Sequence, residues 1–88
     1  MKTEFKSSFT KDLKKIRSGD VKRQLLEVIE RVENCKNLLE IENVKRMHGA
    51  KDYYRIRVGD YRIGLKVESN TVIFVRFLDR KDIYRYFP

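Results

Sequence analysis

Two neighbouring runs of the chain carry positive side chains in alternation with apolar ones, a pattern whose natural chemistry is the recognition of phosphate. In the first, Arg55 and Arg57 alternate with Tyr54, Ile56 and Val58; in the second, Arg62, Gly64 and Lys66 alternate with Tyr61, Ile63, Leu65 and Val67. A period of two belongs to an extended strand, whose successive side chains point to opposite faces. If the runs pair about the Gly59-Asp60 turn, Arg55, Arg57, Arg62 and Lys66 share one face. Like charges on adjacent strands repel, so such a cluster costs stability unless an anion sits among them. The planar fork of a guanidinium suits phosphate. Arg76 in the following apolar run, then Arg80 and Lys81, extend the basic surface, and Tyr84 and Tyr86 follow closely. Guanidinium groups for phosphates interleaved with rings for bases suit unstacked RNA. Arginines on an exposed strand face also serve simply to keep a sheet soluble, and alternation alone does not choose between these uses.

The remaining chemistry-bearing residues point elsewhere or nowhere. His48 stands alone beside Gly49, and the single Cys35 permits neither an internal disulfide nor a cysteine-based zinc site. The glycine-rich phosphate loops, the HExxH pair and the serine elbow have no match in the chain, so no cofactor or metal is called for. There are 21 Lys and Arg against 13 Asp and Glu, a formal charge of +8. Such an excess suggests a polyanionic partner, without separating nucleic acid from an anionic membrane or an acidic protein. Residues 1 to 10 hold no apolar stretch of the signal-peptide kind, and no segment approaches the roughly 20 apolar residues that span a bilayer. A cytoplasmic protein with no membrane partner is expected.

A small framework must hold these side chains. The 88 residues make one domain, residues 1–88, with 41% hydrophobic residues. A chain this short buries only about two-thirds of the surface its unfolded form exposes, so every element must share one core. Lys2 to Lys6 reads as a short strand. Phe9, Leu13 and Ile16 recur at helical spacing behind Ser7 and Ser8, either of which could cap a helix ending near Ser18 and Gly19. Asp20 can cap a second helix, in which Val21, Leu25, Val28, Ile29 and Val32 form one apolar stripe. Asn34 to Lys51 has no sustained period and reads as an irregular connection with one short turn at most. Gly59-Asp60 and Ser69-Asn70 mark hairpins, and Thr71 to Leu78 is an almost wholly apolar strand. The expected fold class is α+β: an N-terminal strand, a helical hairpin and a three-stranded antiparallel meander, with the helices packed on one face of the sheet.

Tyr54-Arg55-Ile56-Arg57-Val58-Gly59-Asp60-Tyr61-Arg62-Ile63 resembles the signature strand pair of the RelE/ParE toxin superfamily. Arg80-Lys81-Asp82-Ile83-Tyr84 resembles its C-terminal arginine-to-tyrosine motif, and the Phe9 to Lys15 segment with the turn after it also fits. The similarity runs along nearly the whole chain. It implies the toxin of a type II toxin–antitoxin system, partnered by a cognate antitoxin and, in RelE-like members, by the ribosome and the messenger RNA that it cuts without a metal. There the ribose 2′-hydroxyl attacks the adjacent phosphate. Carried over position by position, Arg62 and Arg80 would grip the scissile phosphate, Arg57 would stabilise or protonate the leaving group, and Tyr84 would stack on or orient the nucleotide. Arg55, Lys66, Arg76 and Lys81 would bind the RNA around them. The RelE first strand has lysines where this chain has arginines, and an arginine effectively cannot lose its proton. Many relatives place a histidine before the C-terminal arginine, where Asp79 stands here. That carboxylate is a candidate base, or equally a structural partner of Arg80. Two other outcomes stay open: a ParE-like gyrase inhibitor acting by protein binding, and an inactive relative that only binds its antitoxin.

Overall fold

The computed structural model describes all 88 residues, Met1–Pro88. In chain order the elements are β1 (Lys2–Phe5), α1 (Ser7–Lys14), α2 (Gly19–Asn34), a 3-10 turn (Leu38–Glu40), β2 (Val44–Arg46), β3 (Tyr53–Val58), β4 (Tyr61–Glu68), β5 (Thr71–Asp79) and α3 (Ile83–Tyr86). They form one mixed sheet in the order β1-β5-β4-β3-β2. β1 runs parallel to β5, an arrangement that needs a crossover, and the α1–α2 hairpin begins that crossover. All other pairings are antiparallel. No helix is long and apolar enough to cross a membrane.

The α+β expectation and the meander hold, and the structure adds to them. Asn34 to Lys51 is not wholly irregular: Val44–Arg46 pairs with β3 and brings the sheet to 5 strands. Three residues with a single apolar member leave no periodic signal, which is why sequence reading passes over this edge. The first helix ends at Lys14 rather than near Ser18. Ser18 then caps α2, its side chain accepting from the Val21 N–H, a role the sequence reading had given to Asp20. Neither Ser7 nor Ser8 caps α1; the Ser8 hydroxyl donates instead to the Val75 carbonyl at 2.6 Å.

The core lies between the helices and one face of the sheet. Leu25, Val28 and Val32 of α2 and Phe9 of α1 pack against Ile56, Val58, Ile63, Leu65, Val72, Phe74 and Phe77. The Phe9 ring meets Phe74 edge-on, with centroids 5.5 Å apart, the geometry that aromatic quadrupoles favour.

One irregularity decides what the last strand presents. Leu65 pairs with Phe74 but Gly64 pairs with Arg76, so Val75 is an extra residue in β5, a β-bulge. Before it, Val72 and Phe74 face the helices; after it Phe77 does, while Arg76 and Leu78 turn to the opposite face. Uniform alternation would have kept Arg76 and Leu78 in phase with Phe74. The bulge lies where β1 ends and α1 takes over the edge of β5. Lys6 makes the last strand-like bond there, donating to the Phe74 carbonyl at 2.9 Å. Beyond it, Ser8 satisfies the Val75 carbonyl, and the Asp12 carboxylate accepts from the Phe77 N–H at 3.0 Å. Side chains of α1 thus serve the backbone groups that a longer β1 would have paired.

Candidate nucleic-acid interface

On the face away from α1 and α2, the register places Arg57 directly opposite Arg62, and Arg55 opposite Gly64. The expected convergence of Arg55, Arg57 and Arg62 is therefore real. Arg62 is partly fixed: its Nη1 donates to the Gly59 carbonyl at 3.0 Å and to the Tyr61 carbonyl at 2.9 Å, bracing the guanidinium against the hairpin turn. Gly59 makes that turn with a φ of 57°, in the left-handed region where a missing Cβ removes the penalty. Partial burial, then the nearby Arg55 and Arg57 charges, hold the Arg62 pKa below the ordinary arginine value; Arg80 acts in the same direction and Tyr84 against it. The C-terminal pair thus joins the strand pair. Arg80 is set by its own backbone, whose N–H donates to the Asp60 carbonyl at 2.9 Å. Tyr84 is tied to the strand face by Arg55, whose Nε donates to the phenol oxygen at 2.6 Å. None of Arg55, Arg57, Arg62 and Arg80 makes an ion pair with a carboxylate. Four guanidinium groups gather with no internal counter-charge.

Other expected members are placed differently. Lys66 does share the outer face, but Gly64 separates it from Arg62 along β4, and the Phe87 ring covers Gly64. Beyond that cover Lys66 pairs with Glu68 at 2.6 Å and lies 5.5 Å from the centre of the Tyr53 ring. The single row of four cations read from the sequence is thus divided by an aromatic wall. Phe87 belongs to a second, small core with Met47 and Ile83, which fastens the C-terminal segment to this face. Arg76 reaches the outer face only to be held by Asp12, with Nε 2.7 Å from Oδ2 and Nη2 3.1 Å from Oδ1. That carboxylate raises the Arg76 pKa. Asp79 pairs across the ladder with Tyr61, on the helix side of the sheet, away from Arg62. Its Oδ1 accepts from the Lys81 N–H at 2.9 Å, shaping the turn that carries Arg80. The Lys81 side chain is exposed on that turn and has no ion-pair partner.

The sequence reading did not include Lys45. It stands on β2 directly opposite Arg55, and Asn43, Val44, Lys45, Arg55 and Arg57 line a cleft of about 220 Å³. His48 is exposed, Cys35 is buried with its thiol donating to the Val32 carbonyl, and no three His, Cys, Asp or Glu side chains converge to hold a metal.

Known proteins share this fold. The family model for the ParE toxin of type II toxin–antitoxin systems matches residues 3–84. Toxin RelE3 of Methanocaldococcus jannaschii is 44% identical over 89 residues, with 100% of each chain covered. A chain from the crystal structure of the RelB–RelE antitoxin–toxin complex of Methanococcus jannaschii superposes with a TM-score of 0.82 at 42% identity, covering 97% of this chain and 99% of that one. The archaeal RelE–RelB complex of Pyrococcus horikoshii gives a TM-score of 0.73 at 23% identity over 90% and 93% of the two chains, a likeness of fold alone. A family model along nearly the whole sequence, and a relative similar from end to end, place the chain in the RelE/ParE superfamily of type II toxin–antitoxin toxins, as a RelE-like member.

Proposed function

We propose that this toxin is an endoribonuclease that cuts messenger RNA on the translating ribosome, in the cytoplasm, by 2′-hydroxyl attack on the adjacent phosphate. The observation that carries the reading is the gathering of Arg55, Arg57, Arg62 and Arg80 without a carboxylate among them, beside a tyrosine tied to Arg55. Attack on a phosphodiester builds negative charge on the phosphoryl oxygens and on the departing 5′-oxygen. Fixed cations aimed at those positions stabilise the transition state more than the ground state. Arg62 and Arg80 take the phosphoryl oxygens, Arg57 the developing charge on the leaving group, and Tyr84 orients the nucleotide. Arg55 holds Tyr84, and the exposed Lys81 meets RNA on the flank. Arg76 and Lys66, engaged by Asp12 and Glu68, contribute less to RNA binding than free cations would. Asp79, on the other side of the sheet, serves the Arg80 turn rather than proton abstraction. The chemistry asks for positioning and charge, which guanidinium groups supply without a metal.

A cognate antitoxin is the second partner. The apolar groove between α1 and α2, about 310 Å³ and lined by Leu13, Leu25, Leu26 and Ile29, is flanked by Lys14 and Lys22. Leu26 is 59% exposed there, which suits an amphipathic antitoxin segment with acidic flanks.

The test is translation-coupled cleavage by purified toxin. Arg62→Ala should slow cutting by about 10²–10³-fold, the usual loss when one transition-state donor is removed. Tyr84→Ala should also slow it. Equal cutting by wild type and both variants would remove the site. The match to a ParE family model favours gyrase inhibition as the second reading. Accumulation of gyrase cleavage complexes with translation unimpaired would select it.

A further inference from the structure

The four arginines of this face cannot supply one thing that phosphodiester cleavage needs, a proton for the leaving oxygen. Guanidinium groups stay protonated under all ordinary conditions. Asp79 lies on the opposite side of the sheet, Lys81 stands on the turn at the flank, and the Tyr84 phenol, which keeps its own proton, is held by Arg55 where it orients the nucleotide. Lys45 meets the need. Its register opposite Arg55 puts both side chains on the same face, with Cα atoms about 4.5–5.5 Å apart as in any antiparallel pair. Arg55 and Arg57 from β3 face it across the shared cleft, together with the uncharged Asn43, and no carboxylate lines that cleft. Lys45 is exposed and makes no ion pair, so its ammonium is free to reach a substrate.

Building on the endoribonuclease reading, we propose that Lys45 is the general acid of this toxin, giving its proton to the departing 5′-oxygen. The 2′-oxygen forms a bond to phosphorus as the bond between phosphorus and the 5′-oxygen breaks. The 5′-oxygen takes a proton from Lys45 Nζ, the proton of the 2′-hydroxyl passes to water, and the neutral amine regains a proton from water. The products are a 2′,3′-cyclic phosphate and a 5′-hydroxyl. Arg57, beside the same cleft, stabilises charge on the leaving oxygen without having to protonate it. An ammonium is charged at neutral pH and yet can release its proton, which no arginine in the cluster can do.

The experiment compares two ribosome-bound messages, one ordinary and one with sulfur in place of the bridging 5′-oxygen at the cut site. A thiolate leaves without protonation, so the second message needs no general acid. Lys45→Arg, which keeps the charge and withholds the proton, should lose about 10²–10⁴-fold on the ordinary message and recover the wild-type rate on the sulfur one. Arg62→Ala, defective in gripping the phosphate, should stay slow on both. If Lys45→Arg cuts the ordinary message as fast as wild type, or loses the same factor on both, the inference about Lys45 falls and the nuclease reading stands. If wild type cuts neither message, the nuclease reading fails and Lys45 loses its role with it.

Discussion

The ring of Phe87 occupies the space that any side chain at position 64 would need: an ideal Cβ on Gly64 would lie 2.8 Å from three of its atoms. Phe87 is itself only 3% exposed and packs edge-on against Tyr53, so the ring has little room to retreat. Gly64→Ala should therefore cost about 1–3 kcal/mol, as overpacking of a filled site does. The displaced ring would also carry the Ile83–Tyr86 turn outward and Tyr84 with it. Thermal denaturation together with message cleavage checks this: a variant as stable and as active as wild type would show that the fit does not matter.

Asp12 holds the bulged part of β5 through three hydrogen bonds, two from Arg76 and one from the Phe77 N–H. The Asp12 side chain is 5% exposed and that of Arg76 27%. Asp12→Ala should destabilise by about 2–3 kcal/mol, below the full figure for a buried pair because Arg76 can turn to water. In a double-mutant cycle with Arg76→Met, the two losses should fall short of additive, read by urea denaturation. Strict additivity would mean that the pair is not coupled.

The arginine face and Lys66 should differ in salt dependence. Removing one free phosphate-binding cation lowers the slope of log affinity against log salt by about 0.7 for single-stranded RNA. Arg57→Ala and Arg62→Ala should each show that drop with an uncleavable 2′-deoxy-substituted message, whereas Lys66→Ala, already neutralised by Glu68, should show much less. Equal slopes for all three would place Lys66 in the same binding row as the arginines.

The Lys66–Glu68 pair also has a pH signature. Its hydrogen bond, then its charge, lower the Glu68 pKa and raise that of Lys66. The Glu68 contribution to stability is present above its unfolded pKa of about 4.3 and is lost as pH falls through the depressed folded value. The Lys66 contribution is present below its unfolded pKa of about 10.4 and is lost as pH rises through the raised folded value. Glu68→Gln should thus narrow its stability gap from wild type in acid and leave it flat from pH 6 to 9, by denaturant titration. Both groups face water, so the effect is small.

Much of this architecture was legible because it rests on long periodic segments. The stripe of Leu25, Val28 and Val32, the alternation through β3 and β4, and the turns at Gly59-Asp60 and Ser69-Asn70 each state their geometry locally. Arg55, Arg57 and Arg62 followed from that alternation, while Arg80 and Tyr84 came from family resemblance. What stayed hidden depends on partners distant in the chain. Lys45 acquires its place only when a three-residue strand finds β3. Arg76 is claimed by Asp12, 64 positions earlier. The division between Lys66 and Arg62 comes from Phe87, on an element that folds back over a glycine.

The single extra residue at Val75 works as a phase marker for everything after it. Upstream of it, even-numbered residues of β5 fill the core; downstream, Phe77 does so and Leu78 comes to lie opposite Arg62. Were Val75 instead to take a regular place in the ladder, β5 would run in one continuous beat, with no position to spare for the reversal. The strand would then have to slide against either its first half or its second, burying one set of contacts only by unseating the other. An apolar residue that touches no substrate thereby carries positional information for Arg80 and Tyr84, and flattening its bulge would be felt at the site as a frameshift is felt in a message.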